Sequence, residues 1–308
     1  MRFLVDLHNH SCLSPCASLE MSPSRVANAA SARNIAVLGL SDHNSALNCP
    51  AFAVACGRAG IAPLFGLELN SIEEAHLLCI FPSPEEAMDF GASLYGDLPD
   101  LAWSIEALGD QVVVDADENV LELPERWLGA ALGLSFDVLA RRGADRGALV
   151  IPAHVDRLRF SVGSQLGFLP EGPYDAVESI YDPPLSLTGG LPAISGSDAH
   201  APEQVGRRPF SVELPEGLVA AAVAAAAGYA KDYAAAETAA GGAVAATAAE
   251  ETGTAGAEAV ARPAYPSCAS RQLLEALRKA LASGGIEAVR PPAPIPPSAS
   301  RIPPVFRA

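Results

Sequence analysis

The chain has 308 residues, a formal net charge of −16 and a mean hydropathy of +0.22, and half of its residues are apolar. These values exclude a mainly disordered chain and allow one large domain or two modest ones. The acidic balance disfavours binding to a nucleic-acid backbone, so we expect no long nucleic acid as a partner. The longest apolar stretch, residues 218–230, is mostly alanine and too short to span a bilayer. Residues 1–6 lack signal-peptide features, so we expect a cytoplasmic protein with no membrane partner.

Short apolar runs alternate with helix-like stretches over the first 215 residues. The candidate strands are residues 3–7, 35–40, 61–67, 77–81, 148–153, 176–180 and 191–194. The candidate helices are residues 22–33, 49–59, 84–95 and 135–142. A further pair of runs within residues 110–123 is typical of a hairpin. Strands that alternate with helices predict an α/β fold with a largely parallel sheet, and about seven of them predict a closed or nearly closed barrel.

The composition changes after residue 216, and we therefore take residues 1–216 as the main domain. Residues 217–264 form an alanine-rich, low-complexity insertion. Within it, residues 218–236 could form a helix because alanine favours helix. Residues 239–261 contain no large apolar side chain to anchor them, which predicts a flexible segment. Residues 265–290 are expected to contain a helix that packs on the barrel, and residues 291–308 a proline-rich disordered tail.

All six histidines lie in or beside apolar runs, and most of them follow one. His8 and His10 are two residues apart in an extended segment, so both imidazoles can point the same way and bind one metal ion. Asp198 and His200 repeat this spacing near the other end of the domain. Glu68, at the exit of the third run, supplies a carboxylate that could bridge two metal ions. Two polar loop histidines are the alternative for His8 and His10, but the set as a whole favours a metal-centred active site.

These motifs resemble those of the PHP (polymerase and histidinol phosphatase) family of metal-dependent phosphoesterases. They occur in the order of the family and cover about the first 215 residues. The matching motifs are DLHNHS at residues 6–11, LSDHN at 40–44, GLE at 66–68, PAH at 152–154 and SDAH at 197–200. The resemblance implies a distorted seven-stranded, TIM-like β/α barrel with two or three divalent ions (zinc, manganese or iron) at its carboxyl-end face.

The resemblance also implies a ligand set for three metal positions. These ligands are His8, His10, Glu68 and Asp198 for the first, Glu68, His76 and His154 for the second, and His43, His200 and one further residue for the third. The further residue is usually a histidine six positions after His10, where this chain has Cys16, or else a nearby aspartate. Thiolate suits zinc or iron better than manganese or magnesium. Cys16 is therefore either a soft ligand of the third ion or a lost ligand, with Glu20 as another candidate.

Three further sets of residues near these motifs are open to two interpretations. His76 begins its apolar run, so it is either a ligand, as the resemblance implies, or a core histidine bonded to backbone. Asp6 precedes His8 by two residues and is a candidate to orient that imidazole. The arginines near the last two motifs are candidates to bind a substrate phosphate, although any one of them could be a solvated loop charge. They are Arg157, Arg159, Arg207 and Arg208.

The sequence therefore predicts a hydrolase acting on phosphoric ester bonds, with a small phosphorylated metabolite or nucleotide as substrate. Metal ions would lower the pKa of a water that attacks phosphorus. His200, Asp198 and Glu68 are the residues expected to take part in the chemistry. Metal-dependent amide hydrolysis is a second enzymatic interpretation. The alternative from another class is a catalytically inactive metal-binding PHP module that binds a nucleotide or a partner protein.

Overall fold

The computed structural model describes residues 1–182, 184, 187–247 and 263–288. Its strands are β1 (Arg2–Asp6), β2 (Val37–His43), β3 (Ala62–Asn70), β4 (His76–Phe81), β5 (Val113–Val114), β6 (Val120–Glu122), β7 (Leu149–Pro152), β8 (Val177–Glu178), β9 (Ala193–Ile194), β10 (Phe210–Glu213) and β11 (Ile286–Ala288). Its helices are α1 (Pro23–Ser31), α2 (Cys49–Ala59), α3 (Pro84–Leu94), α4 (Ile105–Leu108), α5 (Phe136–Asp145), α6 (Val162–Gln165), α7 (Glu216–Thr247) and α8 (Ser267–Ala282). Short 3₁₀ turns occupy Tyr95–Asp97 and Pro202–Gln204.

The main sheet has seven strands in the order β11-β10-β1-β2-β3-β4-β7. Within this sheet only the pairs β1–β2 and β2–β3 are parallel, and the other four pairs are antiparallel. The predicted α/β class is confirmed. The prediction of a largely parallel sheet is wrong. The paired strands of the described residues form an open sheet and not a closed TIM-like barrel. The outer edge of β1 is occupied by β10, which the sequence patterns did not reveal.

Strands β8 and β9 pair with each other and lie beside β7, next to the edge strand of the main sheet. Val155 N donates to Glu178 O at 2.8 Å, and Asp175 N donates to Val150 O at 2.9 Å, so β8 follows the line of β7. An isolated parallel bridge joins Asn9 to Ala199. The segment after β9 is thereby held next to the segment after β1, although the two are about 190 residues apart in the chain.

Both faces of the main sheet are covered, which explains why β2, β3 and β4 are buried at every position. One face packs against α1, α2, α3 and α5, with Phe52 and Phe65 among its largest buried side chains. The other face packs against α8 and the start of α7 through residues such as Leu273 and Leu277. The first helices begin where the sequence predicts, because Ser22 and Ser83 cap the amide nitrogens of α1 and α3 ahead of a proline.

Helix α7 is longer than the composition predicts. It runs through residues 239–247, the first part of the segment that the composition predicts to be flexible. Its first half packs on α2, where a Cβ on Gly57 would lie 2.2 Å from Ala226 O. Residues 248–262 and the predicted tail at 291–308 lie outside the described residues. In the described part of the chain, no helix combines the length and hydropathy of a membrane span.

Candidate metal centre

The carboxyl ends of three strands bring candidate ligands to one edge of the sheet. β2 and β3 are parallel, and their pairing sets His43 opposite Glu68. β7 is antiparallel to β4, which is itself antiparallel to β3, so β7 points the same way as β3 and ends at the same edge. His154 lies two residues after the end of β7 and therefore joins the two ligand candidates from β2 and β3.

The antiparallel direction of β4 explains the position of His76. Because β4 runs against β3, its first residue and not its last lies at the ligand edge, where His76 pairs with Asn70. His76 Nδ1 is 2.8 Å from Glu68 Oε1. The sequence pattern of a strand exit could not place this residue, since it assumes that all strands run the same way.

Glu68 is the centre of the cluster, and its carboxylate is 1% exposed. Three histidine nitrogens surround Oε1, at 3.3 Å for His8 Nε2, 2.8 Å for His76 Nδ1 and 3.0 Å for His154 Nε2. Two surround Oε2, at 3.3 Å for His10 Nε2 and 3.2 Å for His43 Nδ1. A carboxylate with imidazoles on both oxygens has the arrangement of a bridging ligand.

Asp198 completes a group with the two histidines that follow β1. Asp198 Oδ1 is 3.5 Å from His8 Nε2 and 3.3 Å from His10 Nε2. The ligand atoms of His8, His10, Glu68 and Asp198 all lie within 4.8 Å of one another, and all four residues are buried. This is the set that the resemblance implies for the first metal ion.

Two further groups share residues with the first. The ligand atoms of His43, Glu68 and His76 lie within 4.8 Å of one another, and so do those of His10, His43 and His200. Cys16 lines the same cavity as His43 and His200, and its residue is exposed. Among the described residues, however, no group with mutual ligand distances of 4.8 Å or less includes the Cys16 thiol.

The donor set fits divalent metal ions, as the unpaired buried atoms indicate. His8 Nε2, His10 Nε2, His43 Nδ1 and Asp198 Oδ1 are buried without a hydrogen-bond partner in the described part of the chain. Buried polar atoms are normally hydrogen-bonded, so potential ligand atoms that face one another without such a partner fit a site for a cation. Imidazole and carboxylate are the donors that zinc, manganese and iron(II) accept.

The charges in the metal-free cluster divide the histidines into two classes. Burial disfavours charge on His8 and His10, but the carboxylates around them outweigh burial and raise the pKa of His8, and that of His10 to about 9. Burial lowers the pKa of His43 and His76, and burial together with the charge on His10 lowers the pKa of His200 to about 4. In the metal-free cluster His8 and His10 are therefore protonated at neutral pH, whereas His43, His76 and His200 are neutral.

Glu178 holds His8 from behind, and the sequence interpretation missed it. This residue of β8 is fully buried, and its Oε2 is 2.7 Å from His8 Nδ1. A carboxylate on the far nitrogen of a ligating imidazole fixes its tautomer and orientation. A lone glutamate inside the apolar run of residues 176–180 was the available signal. Gly196 makes the contact possible, because a Cβ there would lie 2.8 Å from Glu178 Cδ and 2.9 Å from His8 Cβ.

Asp6, the residue expected to orient His8, has a different role. Its carboxylate accepts hydrogen bonds from Ser197 N and Gly206 N, both at 3.0 Å. Asp6 therefore anchors the loop that carries Asp198 and His200, and the prediction of a bond to His8 is wrong. The reason is that both Asp6 oxygens are taken by these backbone amides, while His8 Nδ1 is held by Glu178.

Asp42 anchors the loop on the other side of the centre. It accepts from Ser11 N at 2.6 Å and from Ser14 Oγ at 2.7 Å. Ser14 Oγ in turn lies 3.0 Å from His10 Nδ1. The chain Asp42–Ser14–His10 thus supports the second imidazole as Glu178 supports the first.

Two candidate ligands, His154 and Asp198, adopt left-handed backbone angles, with φ of 30° and 46°. Such strain is common at functional sites.

The cluster opens into a cavity of about 210 Å³. One wall carries the polar groups of the centre, and the other carries Pro15, Leu108, Trp127 and Phe160. Phe160 stacks on His76 with ring centres 5.0 Å apart. The cavity therefore combines the charged groups of the centre with an apolar wall.

A second cavity of about 400 Å³ adjoins the first and shares Arg157 and Asp198 with it. Arg207 and Arg208 line only the second cavity. Arg157 Nη1 is 2.7 Å from Asp198 Oδ2, and Arg207 Nε donates to Ser197 O at 2.7 Å. Burial and the neighbouring Arg208 lower the pKa of Arg207. Arg159 is exposed and lines neither cavity.

Comparison with known families agrees with the motifs. Residues 6–101 match the model of the PHP domain, so the resemblance to this family is confirmed. The match contains the motifs around His8, His43 and Glu68, whereas His154 and Asp198 lie beyond it. No curated protein matches the chain.

Several solved structures are similar to this fold. The lesion-specific endonuclease PfuEndoQ from Pyrococcus furiosus has a TM-score of 0.48 and 18% identity, over 70% of this chain and 53% of its own. A complex of Endonuclease Q with a 27-mer duplex carrying an abasic lesion has a TM-score of 0.49 and 19% identity, over 70% of this chain and 54% of its own. An amidohydrolase from Chromobacterium violaceum with bound sulfate has a TM-score of 0.42 and 23% identity, over 69% of this chain and 92% of its own. This chain thus spans about half the length of the endonuclease chains.

The exclusion of long nucleic acid is corrected by these similarities. Endonuclease Q, whose structure is similar to this one, is seen in a complex with duplex DNA. A net charge of −16 is a sum over the whole surface, and it does not determine the local potential at one site, where three arginines line a cavity. The acidic composition therefore gives no ground for ruling out a nucleic-acid substrate.

Proposed function

We propose that this protein hydrolyses a phosphate ester and that its buried histidine–carboxylate cluster holds two or three divalent ions for this reaction. The observation that carries the proposal is the environment of Glu68, whose two oxygens each face histidine nitrogens at 2.8–3.3 Å. This arrangement suits two ions that share one carboxylate. When bound, such ions supply positive charge to phosphoryl oxygens and lower the pKa of a bound water.

The chain's own residues would hold and orient the ester. His8, His10 and Asp198 would bind one ion. Glu68 and His76 would bind a second, either with His43, whose ligand atom lies within 4.8 Å of theirs, or with His154, whose Nε2 is 3.0 Å from Glu68 Oε1. Arg157 lies at the mouth of the cavity and could bind a phosphoryl oxygen with the edge of its guanidinium that is not directed at Asp198. The apolar wall of Leu108, Trp127 and Phe160 would contact the leaving group and exclude water from it.

His200 is suited to accept a proton in this scheme or to ligate a third ion. It is neutral at pH 7, since its pKa is lowered to about 4. Its Nδ1 is 2.9 Å from Asp198 O, and a carbonyl oxygen can only accept, so the proton sits on Nδ1. Nε2 therefore carries the lone pair, and this is the atom that would serve a metal ion or a proton transfer.

The first test is turnover by metal-depleted protein reloaded separately with manganese, zinc and iron(II). The panel contains p-nitrophenyl phosphate, bis-p-nitrophenyl phosphate, mononucleotides, and single-stranded and duplex oligonucleotides. We expect at least one ester to be hydrolysed in a metal-dependent way. His10→Ala and Asp198→Asn should each lower the rate by more than tenfold, or about 1.4 kcal/mol in the barrier, because each removes a ligand needed for charge stabilisation.

The control for these variants is Asp117→Asn, which removes the same charge from an exposed side chain paired with Arg58. Its rate should equal that of the wild type. If the reloaded wild type binds metal but hydrolyses no ester, the proposal fails and the alternative of an inactive metal-binding module is favoured. Full activity in Asp198→Asn would also contradict the assignment of the centre.

A further inference from the structure

The hairpin of β5 and β6 has one anchored strand and one free strand. Both residues of β5 are buried, and every residue of β6 is exposed. The side chain of Asn48 holds β5 in place, because it accepts a hydrogen bond from Val114 N at 2.9 Å and donates one to Val112 O at 3.0 Å. In the part of the chain that the structure describes, β6 pairs with β5 alone. The outer edge of β6 is therefore free to pair with another strand.

The side chains of β6 are apolar on both of its faces. Val120 and Leu121 are neighbours in an extended strand, so they point to opposite faces, and they are 63% and 48% exposed. Glu122 shares the face of Val120, and Leu123, which follows the strand, is exposed as well. Natural edge strands are usually protected by lysine or by a covering element. This one carries apolar side chains and a carboxylate instead.

A second exposed apolar segment lies beside the end of β6. Trp103 Nε1 donates to Glu125 O at 2.7 Å, which brings residues 101–105 alongside the residues that follow the strand. Two large apolar side chains of that segment are exposed. We call the combined surface the edge patch, and its members are Leu101, Ile105, Val120, Leu121 and Leu123. A group of exposed apolar side chains of this kind marks a site of interaction.

The charges around the edge patch are almost all negative. Residues 100–125 contain eight aspartates and glutamates and no lysine, arginine or histidine. Asp117 pairs with Arg58, but the described residues offer no basic partner to Glu122 or Glu125. A second copy of this chain on the edge patch would place these carboxylates against one another, which is unfavourable. The charge therefore favours a basic partner.

The same part of the chain reaches the metal centre. Asn48, which holds β5, also donates to Ser11 Oγ at 2.9 Å, and Ser11 belongs to the first histidine motif. Leu108 and Trp127, on either side of the hairpin in the sequence, line the cavity above the metal centre. A partner on the edge patch would therefore contact the segment that forms the apolar wall of this cavity.

We infer that β6 and the edge patch form a docking surface for a basic, extended segment of another protein, which adds a strand to the free edge of β6. In this mode main-chain hydrogen bonds supply affinity and alternate side chains supply specificity. An apolar side chain of the added strand would lie beside Leu121, and a lysine or arginine on its other face would reach Glu122. Pro124 limits the paired length, since proline has no N–H to donate.

The experiment uses a fluorescein-labelled peptide of about six residues with alternating lysine and valine, a length that matches a short strand. Fluorescence anisotropy with the full chain should show saturable binding. The same peptide with alternate backbone N-methyl groups keeps its charge and side chains but loses N–H donors, so it should bind about tenfold more weakly or worse. A peptide of alternating glutamate and valine should not bind, because its charge matches that of the surface.

Two substitutions locate the binding site. Leu121→Asp should weaken binding of the basic peptide by about tenfold, although it adds a negative charge that would attract the peptide, because it removes an apolar contact at the edge. Leu158→Asp is the matched control at a leucine outside the edge patch that is 90% exposed, and its affinity should equal that of the wild type. Glu122→Lys should weaken binding by about threefold or more, whereas Glu171→Lys, at an exposed position outside residues 100–125, should have a smaller effect.

The same affinities are expected with and without bound metal, so a failure of the proposed phosphoesterase function would leave this inference standing. Circular dichroism verifies that the variants are folded. The inference is overturned if the basic peptide does not bind, if the N-methylated peptide binds equally well, or if folded Leu121→Asp protein keeps the wild-type affinity. Sedimentation measurements address the other occupant. A wild-type dimer that Leu121→Asp dissociates would assign the edge patch to a second copy of the chain and would also overturn the inference.

Discussion

At the scale of single residues, the centre depends on side chains that hold the ligands as well as on the ligands themselves. Glu178 and the Asp42–Ser14 pair support His8 and His10 from behind. These supports distinguish the two imidazoles, because one faces a carboxylate directly and the other faces a hydroxyl. His8 and His10 are therefore not equivalent, although they flank the same asparagine in the first motif.

The first residue-scale prediction concerns Glu178. Glu178→Gln removes the charge that orients and polarises His8, and it should weaken metal binding by about 10–100-fold. Competition with a chelator of known affinity measures this change. Glu171→Gln is the control, since it makes the same change at an exposed position. Unchanged metal affinity in Glu178→Gln would show that the contact at 2.7 Å is not a functional support.

A second residue-scale prediction concerns Cys16. The residue as a whole is exposed, but its sulfur faces the protein and is partly desolvated. This desolvation, with the negative charges of Glu68 and Asp198, raises the pKa of the thiol, so it is protonated in the metal-free protein. A nearby cation would reverse this effect. If the thiolate is the soft ligand of a third ion, Cys16→Ser should lower zinc or iron content by up to one ion per chain, and Cys16→His should restore it.

Cobalt(II) substitution gives an independent measurement for Cys16. Thiolate ligation produces a charge-transfer band, which Cys16→Ser should remove. Identical metal content and spectra in wild type and Cys16→Ser would mean that the thiol is not a ligand. The protein would then have a two-ion centre, with His43 and His200 free for protons or phosphate.

At the scale of elements, the direction of each strand decides which of its ends contributes to the site. β2, β3 and β7 contribute residues at or within two positions of their carboxyl ends, whereas β4 contributes its first residue. Helix α7 is part of the fold because it packs closely on α2. Tyr229 of α7 contacts Tyr265 with ring centres 5.3 Å apart, and Tyr265 contacts Phe65 of β3.

The element-scale prediction tests this packing with two glycines. Gly57→Ala places a methyl group 2.2 Å from Ala226 O, so α7 must move, and we expect a loss of about 1–3 kcal/mol in the free energy of unfolding. Gly228→Ala lies in α7 with open space at its Cβ, and it should stabilise by up to about 1 kcal/mol. Urea denaturation measures both. Equal effects of the two substitutions would show that α7 is not closely packed on α2.

At the scale of the whole molecule, the cluster gathers groups whose protonation must change when metal binds. At pH 7.5 the metal-free protein carries protons on His8 and His10, because the surrounding carboxylates raise their pKa values, and His200 is neutral. The charged form of His10 stabilises the metal-free fold fully below its ordinary pKa of 6.5, and this contribution is lost as the pH rises through about 9. Metal ions must displace these protons.

The whole-molecule prediction is therefore that metal binding releases protons and strengthens as the pH rises from 6.5 toward 9. Each displaced proton should change the affinity by about tenfold per pH unit. Calorimetric titration with manganese in buffers of different ionisation enthalpy counts the protons released. His10→Ala should lower the count, while His200→Ala should leave it unchanged because His200 carries no extra proton to lose. A count of zero for the wild type would contradict the prediction.

The local patterns of the sequence determined the elements and most of the candidate ligands. Apolar runs and serine–proline caps located β1–β4, β7, α1 and α3, and the motifs around His8, Glu68 and Asp198 selected residues that the fold brings together. These features are local, because periodicity and capping act over a few residues. The same reasoning selected Arg157 and Arg207, which line the cavities, and Arg159, which does not.

Only the tertiary structure decided the features that depend on contacts between distant segments. The reversal of β4, which places His76 beside Glu68, follows from strand pairing that no run of residues encodes by itself. The contact of Glu178 with His8 joins residues 170 positions apart, and it needs the space left by Gly196. Asp6 binds the Ser197–Gly206 loop and not its neighbour His8, since a buried carboxylate takes the donors that the fold presents to it. The open sheet has the same origin, because the edge of β1 pairs with β10, a partner chosen by packing across the whole molecule.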